Sequence, residues 1–202
     1  MLTRRFFTQG LGMLAVSQAL VSRALAQSGP SVEDVLFDPD QPVLGNPDGD
    51  LSIVEYFDYQ CPFCKRNHPD LMRAVERDGN IRLLMKDWPI FGGTSTRAAQ
   101  LALGGLAGDN YARAHAALMA TQGRLSDHDI DTALMDAGLS VDSLRAGYSA
   151  QRDRLDGLMV RNGRQAAAFG FSGTPAFIIG TVIYPGALNA DDLADAIRLA
   201  RS

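Results

Sequence analysis

Leu51-Ser52-Ile53-Val54-Glu55-Tyr56-Phe57-Asp58-Tyr59-Gln60-Cys61-Pro62-Phe63-Cys64 is the stretch that decides the fold. Its first seven residues are mostly β-branched, aromatic or apolar, interrupted by Glu55, and predict a buried strand. A C-x-x-C pair follows at once. From Pro62 to about Arg77 the pattern turns helical, with Pro62 suited to the first helical position and Gly79 to the position past the end. Pro69 falls inside that helix and predicts a kink. A strand therefore runs into a dithiol at a helix N-terminus. Cys61 and Cys64 are the two cysteines of a 202-residue chain. Disulfide-stapled proteins scatter more of them, and a structural zinc site needs four ligands. The pair reads as a dithiol that opens and closes.

The thiolate is the form that attacks a disulfide, and a helix N-terminus lowers a thiol's pKa. Cys61 sits where unpaired backbone N–H groups point outward, so it is the expected attacking sulfur. Cys64, one turn further in, is the expected resolving sulfur and the less exposed one. Their disulfide would close a ring of four residues, stabilising by about 2 kcal/mol, less than a long loop yields. Such a bridge suits exchange better than architecture. Two other readings stand beside redox catalysis: a structural staple, and a metal site in which Cys61, Cys64 and His68 converge without a visible fourth ligand. His68 is otherwise a surface or packing residue, and His115 and His128 read as ordinary helix residues. Glu55, if its strand is central, is a carboxyl beneath the dithiol with a raised pKa, able to exchange a proton with Cys64. The alternative is that it faces solvent. Lys86 is its candidate charge partner. Pro175, within Ser172-Gly173-Thr174-Pro175-Ala176, precedes an apolar run. It is a candidate cis peptide, or else a trans proline opening an edge strand.

Working outward, Ile81 to Met85 predicts a second strand that Lys86-Asp87-Trp88-Pro89 ends. From about Thr94 to Phe169, apolar residues recur every three or four positions. Breaks near Gly108-Asp109, Gly123, Gly138 and Gly147 predict several short packed helices. Ser126 with Asp129 forms a cap signature, and Leu118, Met119, Leu134 and Met135 are assigned to the core. Ala176 to Ile179, a turn at Gly180-Thr181, Val182 to Tyr184, and a final helix from about Asn189 to Ala200 close the chain. Residues 27–49, rich in Gly, Pro, Ser and Asp, form a lead-in with turns at Asn46-Pro47 and Asp48-Gly49.

The first 26 residues differ from the rest. Arg4 and Arg5 open them, Leu11 to Leu20 is modestly apolar, and Ala24-Leu25-Ala26 is a small-x-small cleavage signature. Thr3-Arg4-Arg5-Phe6-Phe7 resembles a twin-arginine export signal, with an ordinary Sec signal as the alternative. Cleavage near Ala26 would take Lys plus Arg from 19 to 16 against 23 acidic residues, a net charge of −7. An acidic chain without a basic stretch argues against nucleic-acid partners and against docking on anionic lipid. An exported chain meets an environment that permits disulfides, here the periplasm.

Val54 to Cys64, together with Gly173-Thr174-Pro175-Ala176-Phe177, resembles the DsbA-like thiol–disulfide oxidoreductases. Phe37-Asp38-Pro39, Pro42-Val43-Leu44-Gly45 and Asp87-Trp88-Pro89-Ile90 resemble the Com1-like group within it. The resemblance covers about Leu36 to Leu199. It implies an α/β thioredoxin fold (50–93 with 171–202) holding an inserted all-helical domain (94–170). It also implies a cis Thr174–Pro175 bond facing the dithiol, Pro62, Phe63, Thr174 and Pro175 as the substrate-binding residues, Glu55 as the buried acid and Lys86 as its charged neighbour. Substrates would be reduced or misoxidised exported proteins, bound strand-like with little sequence preference. A membrane quinone-linked partner would reoxidise the dithiol. No cofactor or metal is implied, and the mature chain is expected to be monomeric and not inserted in the membrane. Two departures bear on the direction of electron flow. Pro62-Phe63 lacks the histidine found between the cysteines of several strong oxidants. Thr174 matches isomerases and many family members, where the main oxidant has an aliphatic residue. A disulfide reductase or isomerase is therefore the alternative activity.

Overall fold

The computed structural model describes residues 29–202, and the signal-peptide reading of residues 1–26 lies outside them. A five-stranded mixed sheet organises the rest, in the order β1-β3-β2-β4-β5. β1 is Val43–Gly45, β2 Leu51–Phe57, β3 Ile81–Asp87, β4 Ala176–Ile179 and β5 Val182–Tyr184. β2 and β3 run parallel, with Leu51 opposite Ile81 and Phe57 opposite Asp87. The pairs β1–β3, β2–β4 and β4–β5 are antiparallel. β2 is central and buried on both faces, which explains its nearly unbroken apolar run.

Side-chain alternation along β2 and β3 divides the sheet into two faces. Ile53, Glu55 and Phe57 project to the face that also carries Leu83, Met85 and Asp87. There Ile53, Phe57, Leu83 and Met85 join Leu71 and Val75 of α2 (Pro62–Asp78), Leu193 and Ala196 of α8 (Ala190–Ala200), and most of the helical residues between β3 and β4. Val54, Tyr56 and Leu84 project to the other face, against Val35 of α1 (Val32–Leu36), Ala166 of α7 (Arg152–Ala168) and Phe171. The segment between β3 and β4 is helical throughout its regular structure: α3 Gly93–Gly104, a 3₁₀ turn at Gly105–Gly108, α4 Tyr111–Met119, α5 Asp127–Asp136, α6 Val141–Ala150 and α7.

Local signals set many boundaries. Cys61 caps α2, Pro62 takes its first position, and Gly79 ends it at φ 71. Ser126 and Asp129 form a reciprocal capping box at α5, and Asn189 with Asp192 does the same at α8.

Four expectations need correction. The lead-in is structured: Ser31 and Asp34 box the start of α1, and β1 pairs with the outer edge of β3. β3 continues through Lys86 and Asp87, because β2 supplies partners as far as Phe57. Gly147 lies inside α6 and breaks nothing. A Cβ there would come within 2.3 Å of the Gly104 carbonyl, so glycine lets α6 approach α3. Met135 is 56% exposed, on the outer face of α5, whereas Leu118, Met119 and Leu134 are buried.

Candidate active site

The turn Asp58–Gln60 carries the chain from the end of β2 into α2, and the Cys61 amide closes it on the Asp58 carbonyl at 3.0 Å. Both cysteines are free. Cys61 is 1% exposed and Cys64 0%, so accessibility does not separate the two sulfurs. Their surroundings do. The Cys61 sulfur accepts from the Cys64 amide at 3.4 Å, and its S–H donates to the Thr174 carbonyl at 3.1 Å. Its pKa is lowered to about 6, chiefly by contact with the Cys64 thiol, against the opposing effect of burial. The Thr174 side chain and the backbone amides of Cys64 and Phe63 add to the lowering. Cys64 moves far the other way. Burial raises it most, and the negative charges of Cys61 and Glu55 add to that.

The Thr174–Pro175 peptide is cis. Thr174 faces Cys61, Pro175 is buried behind it, and Pro62 and Phe63 are exposed on the first turn of α2. Phe63 is 52% exposed, with the Arg66 guanidinium over its ring at 4.7 Å.

Glu55 is fully buried on the dithiol face and neither carboxylate oxygen has a hydrogen-bond partner. Burial, and then the charge of Cys61, raise its pKa from 4.5 to about 8, so at pH 7 it is mostly a neutral acid. The solvent-facing alternative is excluded. Lys86 is not its charge partner. Lys86 pairs with Tyr56, one residue on, and so projects to the opposite face of the sheet. There its charged neighbours are Asp38, Arg161 and Arg82, and burial lowers its pKa to about 8.

Several site residues escaped the sequence reading. The Asp58 carboxylate accepts from the Ile90 and Phe91 amides (2.6 and 3.1 Å), the Gln60 amide (2.7 Å) and the Ser95 hydroxyl (2.7 Å). Tyr59 shares a hydrogen bond of 3.0 Å with Nδ1 of His115, which is fully buried. His68 sets its ring against His115 at 4.9 Å, and Tyr111 donates to Asp87 at 2.9 Å. Asp87 is raised to about 8 by burial, so this polar cluster is close to neutral at pH 7. Asp58 and Tyr59 stood in plain view beside the cysteines, but their partners lie dozens of residues away and carry no local signal.

A capped dithiol at a helix start, a central strand leading into it and a cis-proline opposite define the thioredoxin class of fold and site. The chain belongs to the family of the DSBA-like thioredoxin domain, whose family model matches residues 52–198. A thioredoxin-like oxidoreductase from Silicibacter pomeroyi DSS-3 superposes with TM-score 0.80 at 33% identity, over 85% of this chain and 98% of that one. The thiol-disulfide exchange protein alpha-DsbA2 from Wolbachia pipientis superposes with TM-score 0.75 at 27% identity, over 83% of this chain and 90% of that one. The chain spans under a third of the length of the curated relatives it matches. It covers 28% of the Na(+)/H(+) antiporter NhaA 1 of Salinispora arenicola, at 26% identity with 89% of this chain matched. It covers 29% of disulfide bond formation protein D of Bacillus subtilis, at 35% identity with 31% of this chain matched.

Proposed function

We propose that this chain is a periplasmic protein thiol–disulfide oxidoreductase that donates disulfides to exported proteins. The observation that carries this reading is the opposed electrostatics of two sulfurs one helical turn apart. Cys61 is held near 6 and Cys64 is raised. A stabilised Cys61 thiolate favours the dithiol form, and a protein whose dithiol form is favoured gives its disulfide away.

In the forward step a substrate thiolate attacks the Cys61 sulfur of the disulfide and Cys64 leaves. Cys64 takes up a proton; the neutral Glu55 carboxyl, on the same face but not hydrogen-bonded to the sulfur, would supply it through a bridging water. A second substrate thiolate then attacks the substrate sulfur of the mixed disulfide and expels Cys61 as thiolate. Two electrons pass from two substrate thiols to the Cys61–Cys64 disulfide, which becomes the dithiol, and the substrate gains one disulfide. Thr174 and Pro175 present backbone to an extended segment, and Pro62 and Phe63 present apolar surface. A membrane redox partner would take the electrons on, and the working unit would be a monomer. The export signature of residues 1–26 supports the location; among the described residues no helix is long and apolar enough to cross a membrane.

Trapping with Cys64→Ala tests the reading. The Cys61 thiolate then attacks a disulfide of a misoxidised exported protein and one substrate sulfur leaves as thiolate; without Cys64 to resolve it the mixed disulfide persists, and cysteine-rich exported proteins are recovered as adducts. An absence of adducts beside a working positive control contradicts it. Equilibration with glutathione tests direction: a potential near that of thioredoxin, about −270 mV, contradicts disulfide donation.

A further inference from the structure

The turn that delivers Cys61 is three residues long, and each of its side chains is tied to the helical segment between β3 and β4. Asp58 accepts from the Ser95 hydroxyl of α3 at 2.7 Å. Tyr59 is hydrogen-bonded to His115 of α4 at 3.0 Å. Gln60 exchanges two bonds with the backbone of Leu125, just before α5: its Nε2 donates to the carbonyl at 3.1 Å and its Oε1 accepts the amide at 2.7 Å. One helical turn beyond Cys61, the Lys65 ammonium donates to the Gly123 carbonyl at 3.0 Å. Asp58, Tyr59, Lys65, Ser95 and His115 are all buried, and unmet polar groups there are costly.

We propose that the helical segment is a positioning device for the redox pair, acting through Asp58–Ser95, Tyr59–His115 and Gln60–Leu125 to hold Cys61 in its capping geometry. This positioning role presupposes the redox role proposed above. The Cys61 sulfur is held as a cap by the Cys64 amide at 3.4 Å, a contact that small rotations of the turn lengthen. Three independent anchors, on three parts of the helical segment, remove those rotations. The Tyr59–His115 bond has the deepest setting: Phe57 packs edge-on against His115 at 5.0 Å, and Tyr111 stacks on it at 5.8 Å.

The experiment compares Gln60→Ala, Tyr59→Phe and Ser95→Ala with Leu139→Ala. Leu139 is a buried residue of the same helical segment that makes none of these contacts with the turn. Two quantities are read: the midpoint of Cys61 thiolate absorbance against pH, and the equilibrium with glutathione, in which two glutathione thiols become one glutathione disulfide as the protein disulfide becomes a dithiol. Each anchor variant raises the midpoint and moves the equilibrium about threefold toward the protein disulfide. Leu139→Ala lowers Tm and moves neither. His115→Gln, which keeps a hydrogen-bonding side chain, retains more of the wild-type midpoint than His115→Leu. The proposal is overturned if the anchor variants lower Tm with the midpoint unchanged, or if Leu139→Ala shifts it as much. Should the wild type fail to equilibrate with glutathione, the functional reading falls, while the midpoint still decides this one. Tyr59→Phe and Ser95→Ala remove single hydroxyls and keep a folded variant available if His115→Leu does not fold.

Discussion

The two faces of the central sheet each bury an ionisable group without a hydrogen-bond partner, one step apart in register: Glu55 on one, Lys86 on the other. Glu55 shares its face with the dithiol, and its pKa is raised by burial and by Cys61. Lys86 shares its face with Asp38 and Arg161, which form an ion pair at 2.7 Å, and its pKa is lowered by burial. Burial alone therefore does not put a charge beside the two sulfurs. The side of the strand decides, and a one-residue step in register is enough to change sides.

The largest effect expected on the dithiol face is from Cys61→Ala, which lowers disulfide exchange by at least about a thousandfold in a reduced-substrate oxidation assay. Cys64→Ala has no disulfide to donate and should fail the same assay, while its Cys61 still forms mixed disulfides with oxidised substrates. No substitution on the Lys86 face should approach either loss.

The next contrast is thermodynamic and has opposite signs on the two faces. Glu55 has its folded pKa raised from 4.5 to about 8. Its contribution to stability is full below 4.5 and is lost as pH rises through 8. Lys86 has its folded pKa lowered from 10.5 to about 8. Its contribution is full above 10.5 and is lost as pH falls through 8. Glu55→Gln should stabilise by about 2 kcal/mol at pH 9 and little at pH 5, whereas Lys86→Met should stabilise by about 2 kcal/mol at pH 6 and little above pH 10. Denaturant melts of both variants across that range should cross. Parallel curves would mean that burial of the two groups is not what sets their charge. Glu55→Gln should also slow exchange about tenfold at pH 7 by removing the proton donor, while Lys86→Met leaves the rate unchanged.

A smaller effect belongs to the packing between α3 and α6. Gly147→Ala presses a methyl group on the Gly104 carbonyl and should cost about 2 kcal/mol in melts without moving the Cys61 titration. The smallest is at the rim of the Lys86 face. Arg161 also pairs with Asp40, but it is 40% exposed, and Arg161→Ala should cost under about 1 kcal/mol, less still in high salt.

Much of this arrangement could be read from residues 51–79, where strand, dithiol, capping proline and terminating glycine are all short-range signals. The hairpin at Gly180-Thr181, the cap at Ser126 and the start of the last helix near Asn189 are legible for the same reason. β1 was not, because three residues at a sheet edge make too short a pattern to distinguish from the turns around them. Gly147 has no local signature separating a close helix contact from a helix end. In the sequence Lys86 stands near Glu55 only because both lie near the C-terminal ends of neighbouring strands. Only the register shows that Met85, not Lys86, stands opposite Glu55. The ties of Asp58, Tyr59 and Gln60 depend on tertiary packing that brings Ser95, His115 and Leu125 to one turn, and no window of sequence contains both ends.

The difference between the two sulfurs is open to direct measurement. Thiolate absorbance of the reduced protein, followed from pH 4 to 10, should show one transition near pH 6 that disappears in Cys61→Ala and moves to higher pH in Cys64→Ala, where the thiol that lowers it most is gone. A single transition near the ordinary thiol value of about 8.5, or one that survives Cys61→Ala, would contradict it.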